Sequence, residues 1–160
     1  MKPFFFVFLI ILFFSQLIKA QSTVDFGLKG GLNFTFFKVK EGNFGSNPDV
    51  SLGFYGGVFT DIKVDDRLSI QPEALFIVLN DFKFLNAPIY IKYEIVDRFY
   101  ILIGPSMNYF FDFFSNKFKV RADLSISYQL TKKLDMHMKY SLGFEEITPN
   151  GIFLGVDFRI

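Results

Sequence analysis

The sequence predicts an all-β chain, a closed antiparallel up-and-down transmembrane β-barrel of about eight strands. Three observations predict it. Apolar and polar residues alternate with period two over several long stretches, tight turns alternate with longer connections, and the N-terminal segment reads as an export signal rather than as part of the fold.

Lys2 precedes an unbroken apolar run from Phe4 to Phe14, followed by Ser15, Gln16 and Ile18-Lys19-Ala20. That run is about half of the roughly 20 residues a spanning helix needs. A small residue at Ala20 suits signal cleavage, so residues 1–20 are read as a signal peptide cut between Ala20 and Gln21, and residues 21–160 as one barrel domain. An uncleaved N-terminal anchor is the rival reading. Removing residues 1–20 takes away Lys2 and Lys19 and lowers the net charge from +1 to −1. So weak a net field gives no basis for binding nucleic acid. The chain has no cysteine, which excludes a disulfide framework, a thiolate metal site and a lipid-anchored N-terminal cysteine. Phe 25 and Tyr 7 without Trp leave much apolar surface to be covered.

From Val24 the dyad is regular: Val24, Phe26, Leu28, Gly30, Leu32, Phe34 and Phe36 oppose Asp25, Gly27, Lys29, Gly31, Asn33 and Thr35. Ser51 to Lys63, Leu68 to Leu79, Phe84 to Val96 and Phe99 to Phe111 are less regular strands bounded by polar or turn residues. Pro72, Pro88 and Pro105 fall inside them and remove ladder donors, so bulges or strand ends are expected there. The clean pattern resumes at Phe118 to Leu130, where Val120, Ala122, Leu124, Ile126 and Tyr128 oppose Lys119, Arg121, Asp123, Ser125 and Ser127. It continues from Leu134 to Phe144, with Asp135, His137, Lys139 and Ser141 on the polar side. The last strand sets Ile152, Leu154, Val156, Phe158 and Ile160 against Gly155, Asp157 and Arg159, with Phe153 the exception.

Residues 64–67, 97–98 and 131–133 make tight turns, whereas Lys38 to Val50, Asn80 to Lys83, Asp112 to Lys117 and Glu145 to Asn150 are mostly longer. An even number of strands with short turns at one end and loops at the other is the pattern of outer-membrane barrels. The 140 residues after the signal, shared among eight strands, allow each the roughly 9–11 residues that cross a bilayer.

Alternation alone leaves open which face meets lipid. An export signal, long strands without a covering helix, and charges of both signs on the polar faces favour a polar lumen. Lys29, Glu73, Lys92, Glu94, Arg121, Asp123, Lys139, Asp157 and Arg159 are the expected lumen charge network, tolerable inside only if paired. At about eight strands the interior is filled by side chains, which argues against a wide pore. The tyrosines at 55, 90, 93, 100, 109, 128 and 140 suit either interfacial girdles or aromatic packing.

Phe26-Gly27-Leu28-Lys29-Gly30-Gly31-Leu32-Asn33, then Gly53-Phe54-Tyr55-Gly56-Gly57 and Ser69-Ile70-Gln71-Pro72-Glu73, resemble the PorT-like outer-membrane β-barrel family of Bacteroidetes. Ala87-Pro88-Ile89-Tyr90-Ile91-Lys92-Tyr93 and Gly104-Pro105-Ser106 continue the resemblance in matching order over essentially the whole chain after the signal. It implies the outer membrane of a Gram-negative bacterium and, for some members, a part in protein secretion. Terminal Phe158-Arg159-Ile160 resembles the signal read by the barrel-assembly machinery, departing from it in the final residue.

The chemistry-bearing residues are sparse. His137 with Ser141 or Ser125 and Asp123 makes a conceivable nucleophilic triad, but His137 sits close to the turn end, and a hydrogen-bonded lumen histidine is the simpler reading. Asp65-Asp66 and Glu145-Glu146 lack the ligand-rich loop of a calcium site. Gly30-Gly31 and Gly56-Gly57 lack the context of a phosphate loop, and Asn33-Phe34-Thr35 lies within a strand, which discounts it as a glycosylation acceptor. The expectation is a monomeric, non-enzymatic barrel without cofactor, embedded in outer-membrane lipid. Its loops, chiefly Lys38 to Val50, would meet an extracellular or secretion-system protein if they meet any partner. The rivals are a secreted soluble barrel carrying an apolar ligand and an outer-membrane lipid-modifying enzyme.

Overall fold

A computed structural model describes residues 23–36, 50–79, 83–111, 117–144 and 149–160. They form β1 (Val24–Phe36), β2 (Val50–Lys63), β3 (Leu68–Leu79), β4 (Lys83–Val96), β5 (Phe99–Phe110), β6 (Phe118–Gln129), β7 (Leu134–Gly143) and β8 (Asn150–Arg159). Each strand pairs antiparallel with its sequence neighbour, and β8 pairs with β1, which closes the barrel and leaves no edge. Bilayer hydrocarbon offers backbone groups no partner, so closure is what permits strands to cross it. The strands run from 10 to 14 residues, enough to span.

The register explains why the outer face is apolar. Following the pairs once around gives Val24, Ile62, Ile70, Ile91, Ile103, Leu124, Tyr140, Ile152 and back to β1 at Phe34, ten residues beyond Val24. Every residue on that walk is apolar or aromatic and faces outward. Large outward side chains are left uncovered by protein, Phe54 at 66% and Ile103 at 57% among them. The polar residues point inward, where Lys29, Asp61, Glu73, Lys92, Arg121, Asp123, Lys139 and Asp157 are all buried. This polarity is the reverse of a soluble barrel and removes the soluble, apolar-ligand rival.

The irregularities expected at the three prolines do not form. The β2–β3 ladder passes from Phe59↔Glu73 to Ile62↔Ile70 across Pro72 in unchanged register. Likewise β3–β4 resumes at Leu75↔Asn86 beyond Pro88, and β4–β5 at Ile91↔Ile103 beyond Pro105. Each proline lacks an N–H to donate, and ladder pairs on both sides hold the register across that gap. A register shift lies instead between Glu94 and Val96, beside the Asp97-Arg98 turn, where Arg98 takes φ 67°. That left-handed conformation costs a side-chain-bearing residue about 1 kcal/mol or more.

Two predictions follow from this geometry. Leu124→Arg, which sets a charge on the lipid face midway along β6, is expected to destabilise the barrel by about 2–4 kcal/mol in urea titrations of vesicle-inserted protein. Arg98→Gly is expected to stabilise it by about 1 kcal/mol in the same titration, because glycine adopts the left-handed turn without strain.

Candidate functional site: the filled lumen

The inward residues fall into two polar networks and one apolar plug. The first network begins near the turn end, where the Lys92 ammonium donates to Asp61 Oδ2 at 2.5 Å and to Gln71 Oε1 at 3.2 Å. Gln71 Nε2 donates to Glu73 Oε1 at 2.8 Å, and Lys29 Nζ meets the same oxygen at 2.5 Å. Lys29 also lies 3.4 Å from Asp157, whose other oxygen is 2.9 Å from His137 Nδ1. His137 Nε2 is hydrogen-bonded to the Tyr55 hydroxyl, ending a chain of contacts that runs through six strands. Gly155 makes the last bond possible, because a Cβ there would occupy the space of the Tyr55 hydroxyl. Beside this chain, Arg159 Nη2 donates to Asp135 Oδ2 at 2.5 Å and ties β8 to β7.

Asp123 is the centre of the second network. It accepts from Tyr90 at 3.0 Å, Ser106 at 2.9 Å and Ser141 at 2.7 Å, and Lys139 stands 3.7 Å away. Lys139 donates onward to Asn86 at 2.8 Å, which bonds Asn108. Four strands, β4 to β7, are thereby tied to one carboxylate. A buried carboxylate holding three donors and a nearby ammonium is a satisfied charge, the condition for tolerating it away from water.

Toward the loop end the lumen becomes apolar. Tyr55, Leu75, Ile77, Leu79, Phe84, Phe110 and Phe153 form one buried cluster, with the Phe84 and Phe110 rings stacked at 4.6 Å. Arg121, fully buried, places its guanidinium carbon 5.3 Å from both ring centroids, and its nitrogens have no hydrogen-bond partner among the described residues. At the turn end the lumen opens into a polar recess of about 260 Å³, lined by Asp25, Asp61, Lys63, Arg67, Lys92 and Arg159 among others.

The structure places the expected charge set as follows. Lys29, Glu73, Lys92, Asp123, Lys139 and Asp157 are buried and joined in the two networks, while Arg121 packs on rings instead of a carboxylate. Glu94 and Arg159 are half-buried at the turn end; Glu94 accepts the Arg98 backbone N–H at 3.3 Å, and Arg159 pairs with Asp135. Asp61, Asp135, Gln71, Tyr55 and Tyr90 join the networks although the sequence did not mark them as part of the lumen charge set. Asp61 is the clearest miss, since its face-mates Tyr55 and Phe59 disguise the polar side of β2. Tyr55 and Tyr90 belong to the lumen rather than to a girdle, whereas Tyr93, Tyr128 and Tyr140 face outward. The imagined triad is not assembled. Ser141 serves Asp123, Ser125 donates to the Met138 carbonyl at 3.1 Å, and His137 lies between Asp157 and Tyr55. Asn33 is buried and donates toward the Ile152 carbonyl, and Asp65 Oδ1 accepts the Asp66 N–H within its turn. The cleavage pair Ala20 and Gln21, Glu145-Glu146 and residues 38–49 lie outside the described residues.

Residues 14–79 match the model of a family described as outer membrane protein beta-barrel domain. The fold is similar to Ail, the attachment invasion locus protein of Yersinia pestis, solved with the heparin analogue sucrose octasulfate (TM-score 0.55, 12% identity, 86% of this chain and 99% of that one). It is also similar to Neisserial surface protein A (TM-score 0.54, 14% identity, 86% and 98%). The N-terminal β-barrel domain of Pseudomonas aeruginosa OprF matches it as well (TM-score 0.56, 10% identity, 88% and 100%). A search of curated proteins found no match. At these identities the structural likeness is one of fold. With the family match and the outward apolar band, the class is settled: the protein is a small eight-stranded β-barrel of the outer membrane.

The Lys29–Glu73 pair yields a prediction. Glu73→Ala strands the Lys29 ammonium between one remaining carboxylate and the Phe59 ring, and is expected to cost about 3–5 kcal/mol. Lys29→Met combined with Glu73→Met is expected to cost clearly less than the two single changes added together, measured as a double-mutant cycle by urea unfolding from vesicles.

Proposed function

We propose that the protein is a monomeric, non-enzymatic barrel whose loop end, chiefly residues 38–49, presents a binding surface to another protein outside the membrane. The observation that carries this reading is the filled lumen. Among the described residues, the Phe84–Phe110 stack and its neighbours fill the lumen toward the loop end, and the ionic networks fill it below. A lumen filled in this way, with Ser141 and Ser125 bonded away from His137, favours the loops as the working surface. The resemblance to the PorT-like family gives that surface a role in protein secretion, with insertion through the barrel-assembly machinery by way of β8 and the terminal Phe158-Arg159-Ile160.

Two measurements test the reading. Liposomes carrying the protein are expected to swell no faster in small sugars than protein-free liposomes, and rapid swelling would replace the loop-presenting barrel with a channel. In the producing bacterium, deletion of the gene is expected to reduce release of secreted proteins. The full chain should restore release, and a chain lacking residues 38–49, still heat-modifiable on gels, should not. Restoration by the loop-deleted chain, or lipid hydrolysis abolished by His137→Ala, would sink the proposal.

A further inference from the structure

The polar recess of about 260 Å³ at the turn end is lined by five carboxylates and five cationic side chains, and on its β1 to β3 side these do not pair with one another. Asp25 on β1 stands directly across from Asp61 on β2 in the strand register, and both line the recess. Like charges set opposite each other on neighbouring strands repel, so the pair calls for a cation. Lys92 answers that need at one point, holding Asp61 Oδ2 at 2.5 Å. The other oxygen of Asp61, a residue only 4% exposed, has no partner among the described residues, and Asp25 has no ion-pair partner among them.

Lys63 lies two residues beyond Asp61 on the same face of β2, nearer the turn, and Arg67 follows within the turn to β3. Neither has a carboxylate within ion-pair reach among the described residues. The backbone holds them in place. The Lys63 N–H donates to the Thr23 carbonyl at 3.2 Å, the Val64 and Asp65 N–H groups donate to the Leu68 carbonyl at 2.8 and 3.0 Å, and the Glu94 N–H donates to the Arg67 carbonyl at 2.9 Å. Two carboxylates short of a cation thus stand beside two cations short of a carboxylate, in a frame that keeps them apart.

We propose that this recess binds a zwitterionic amino-acid head, its ammonium between Asp25 and Asp61 and its carboxylate between Lys63 and Arg67. Two residues along a strand span about 7 Å. An ammonium and a carboxylate on one carbon, with a charge-assisted hydrogen bond of about 2.8 Å on either side, fill that span. A simple cation would meet Lys63, Lys92 and Arg67, and a simple anion would meet Asp25, Asp61 and Asp66, whereas a head carrying both signs finds a partner for each. The proposal rests on the turn end facing the periplasm, the orientation of outer-membrane barrels. Its ligand is therefore a periplasmic one, either a free amino acid or a peptide that carries such a head on a diamino-acid side chain.

The full chain in phosphatidylcholine nanodiscs, which leave both barrel ends open, is titrated at low ionic strength with three probes. They are meso-diaminopimelate, pimelate, which lacks the ammonium groups, and cadaverine, which lacks the carboxylates. Affinity is read by calorimetry and position by backbone amide NMR shifts. Diaminopimelate is expected to bind about tenfold or more tightly than either of the others and to shift the amides of Asp25, Asp61, Lys63 and Ser69. D25N and K63A should each weaken it about fivefold, the worth of one solvent-accessible ion pair, and K63R should retain it. Heat-modifiable migration reports that each variant is folded, and the comparison of the three probes on the unaltered chain stands without any variant. The tripeptide L-alanyl-γ-D-glutamyl-diaminopimelate presents the same head on a peptide. Tighter binding of the tripeptide supports the proposal and assigns the recess to a peptide; equal binding supports it with the head alone as the ligand. Equal binding of all three small probes, no binding of diaminopimelate, or shifts confined to the loop end would each overturn the proposal.

Discussion

An ion pair such as Lys29–Glu73 is stable only because the barrel around it is closed and narrow, and the barrel is stable in turn only because such pairs fill it. Removing two charges from water costs several kcal/mol per ion unless partners and hydrogen bonds replace the solvent. Eight strands leave room inside for side chains and little else. Most lumen charges therefore sit beside partners of opposite sign, which accounts for the chaining of carboxylate, amide and ammonium from Asp61 through Gln71 and Glu73 to Asp157, with Arg121 on its rings the exception. The outer wall obeys the opposite demand, and the two-residue period meets both with one sequence pattern.

The lumen is not uniform along its axis. Ionic contacts crowd the half toward the short turns, and hydrocarbon crowds the half toward the loops. Lys139 and Arg121 sit at the boundary and use ring faces to meet the change: Lys139 Nζ is 4.0 Å from the Phe153 centroid, and Arg121 lies against Phe84 and Phe110. A cation over a ring recovers about 0.5–2 kcal/mol, more in a desolvated site than at a surface. Arginine suits such a position because its weakly hydrated planar head stacks on aromatic rings better than an ammonium does.

The extents of the strands were legible in the sequence to within about two residues, and in β1, β6, β7 and most of β8 so was the facing of each side chain, because those positions face either lipid or polar lumen. In β3, β4 and β5 the facing of side chains was not legible, and the reason lies in the plug. Leu75, Ile77 and Leu79 face inward while Phe76 and Val78 face outward, so the second half of β3 is apolar on both sides and its period vanishes from the sequence. Phe153 broke the pattern of β8 for the same cause. An interruption of alternation on the polar face was thus the signal of the plug, and it was readable as irregularity but not as location. The pairing within the networks was not readable at all. Which acid meets Lys29 depends on the offset of ten residues around the closed barrel, a property of the register and of no single strand.

That dependence couples closure to charge. Before β8 docks, Lys29 on β1 lacks Asp157, His137 on β7 lacks the same carboxylate, and Asp135 lacks Arg159. Tyr55 on β2 also lacks the ring of Phe153, which it meets edge-on at 5.2 Å. An open seven-stranded intermediate would therefore hold buried charges short of partners, at the same place where two strand edges lack ladder partners. Both deficits are relieved by the same event, the pairing of β8 with β1 and β7. The docking of β8 thus completes the backbone ladder and the lumen network together, and a register slip of one residue there would turn Asp157 toward lipid and Val156 toward Lys29.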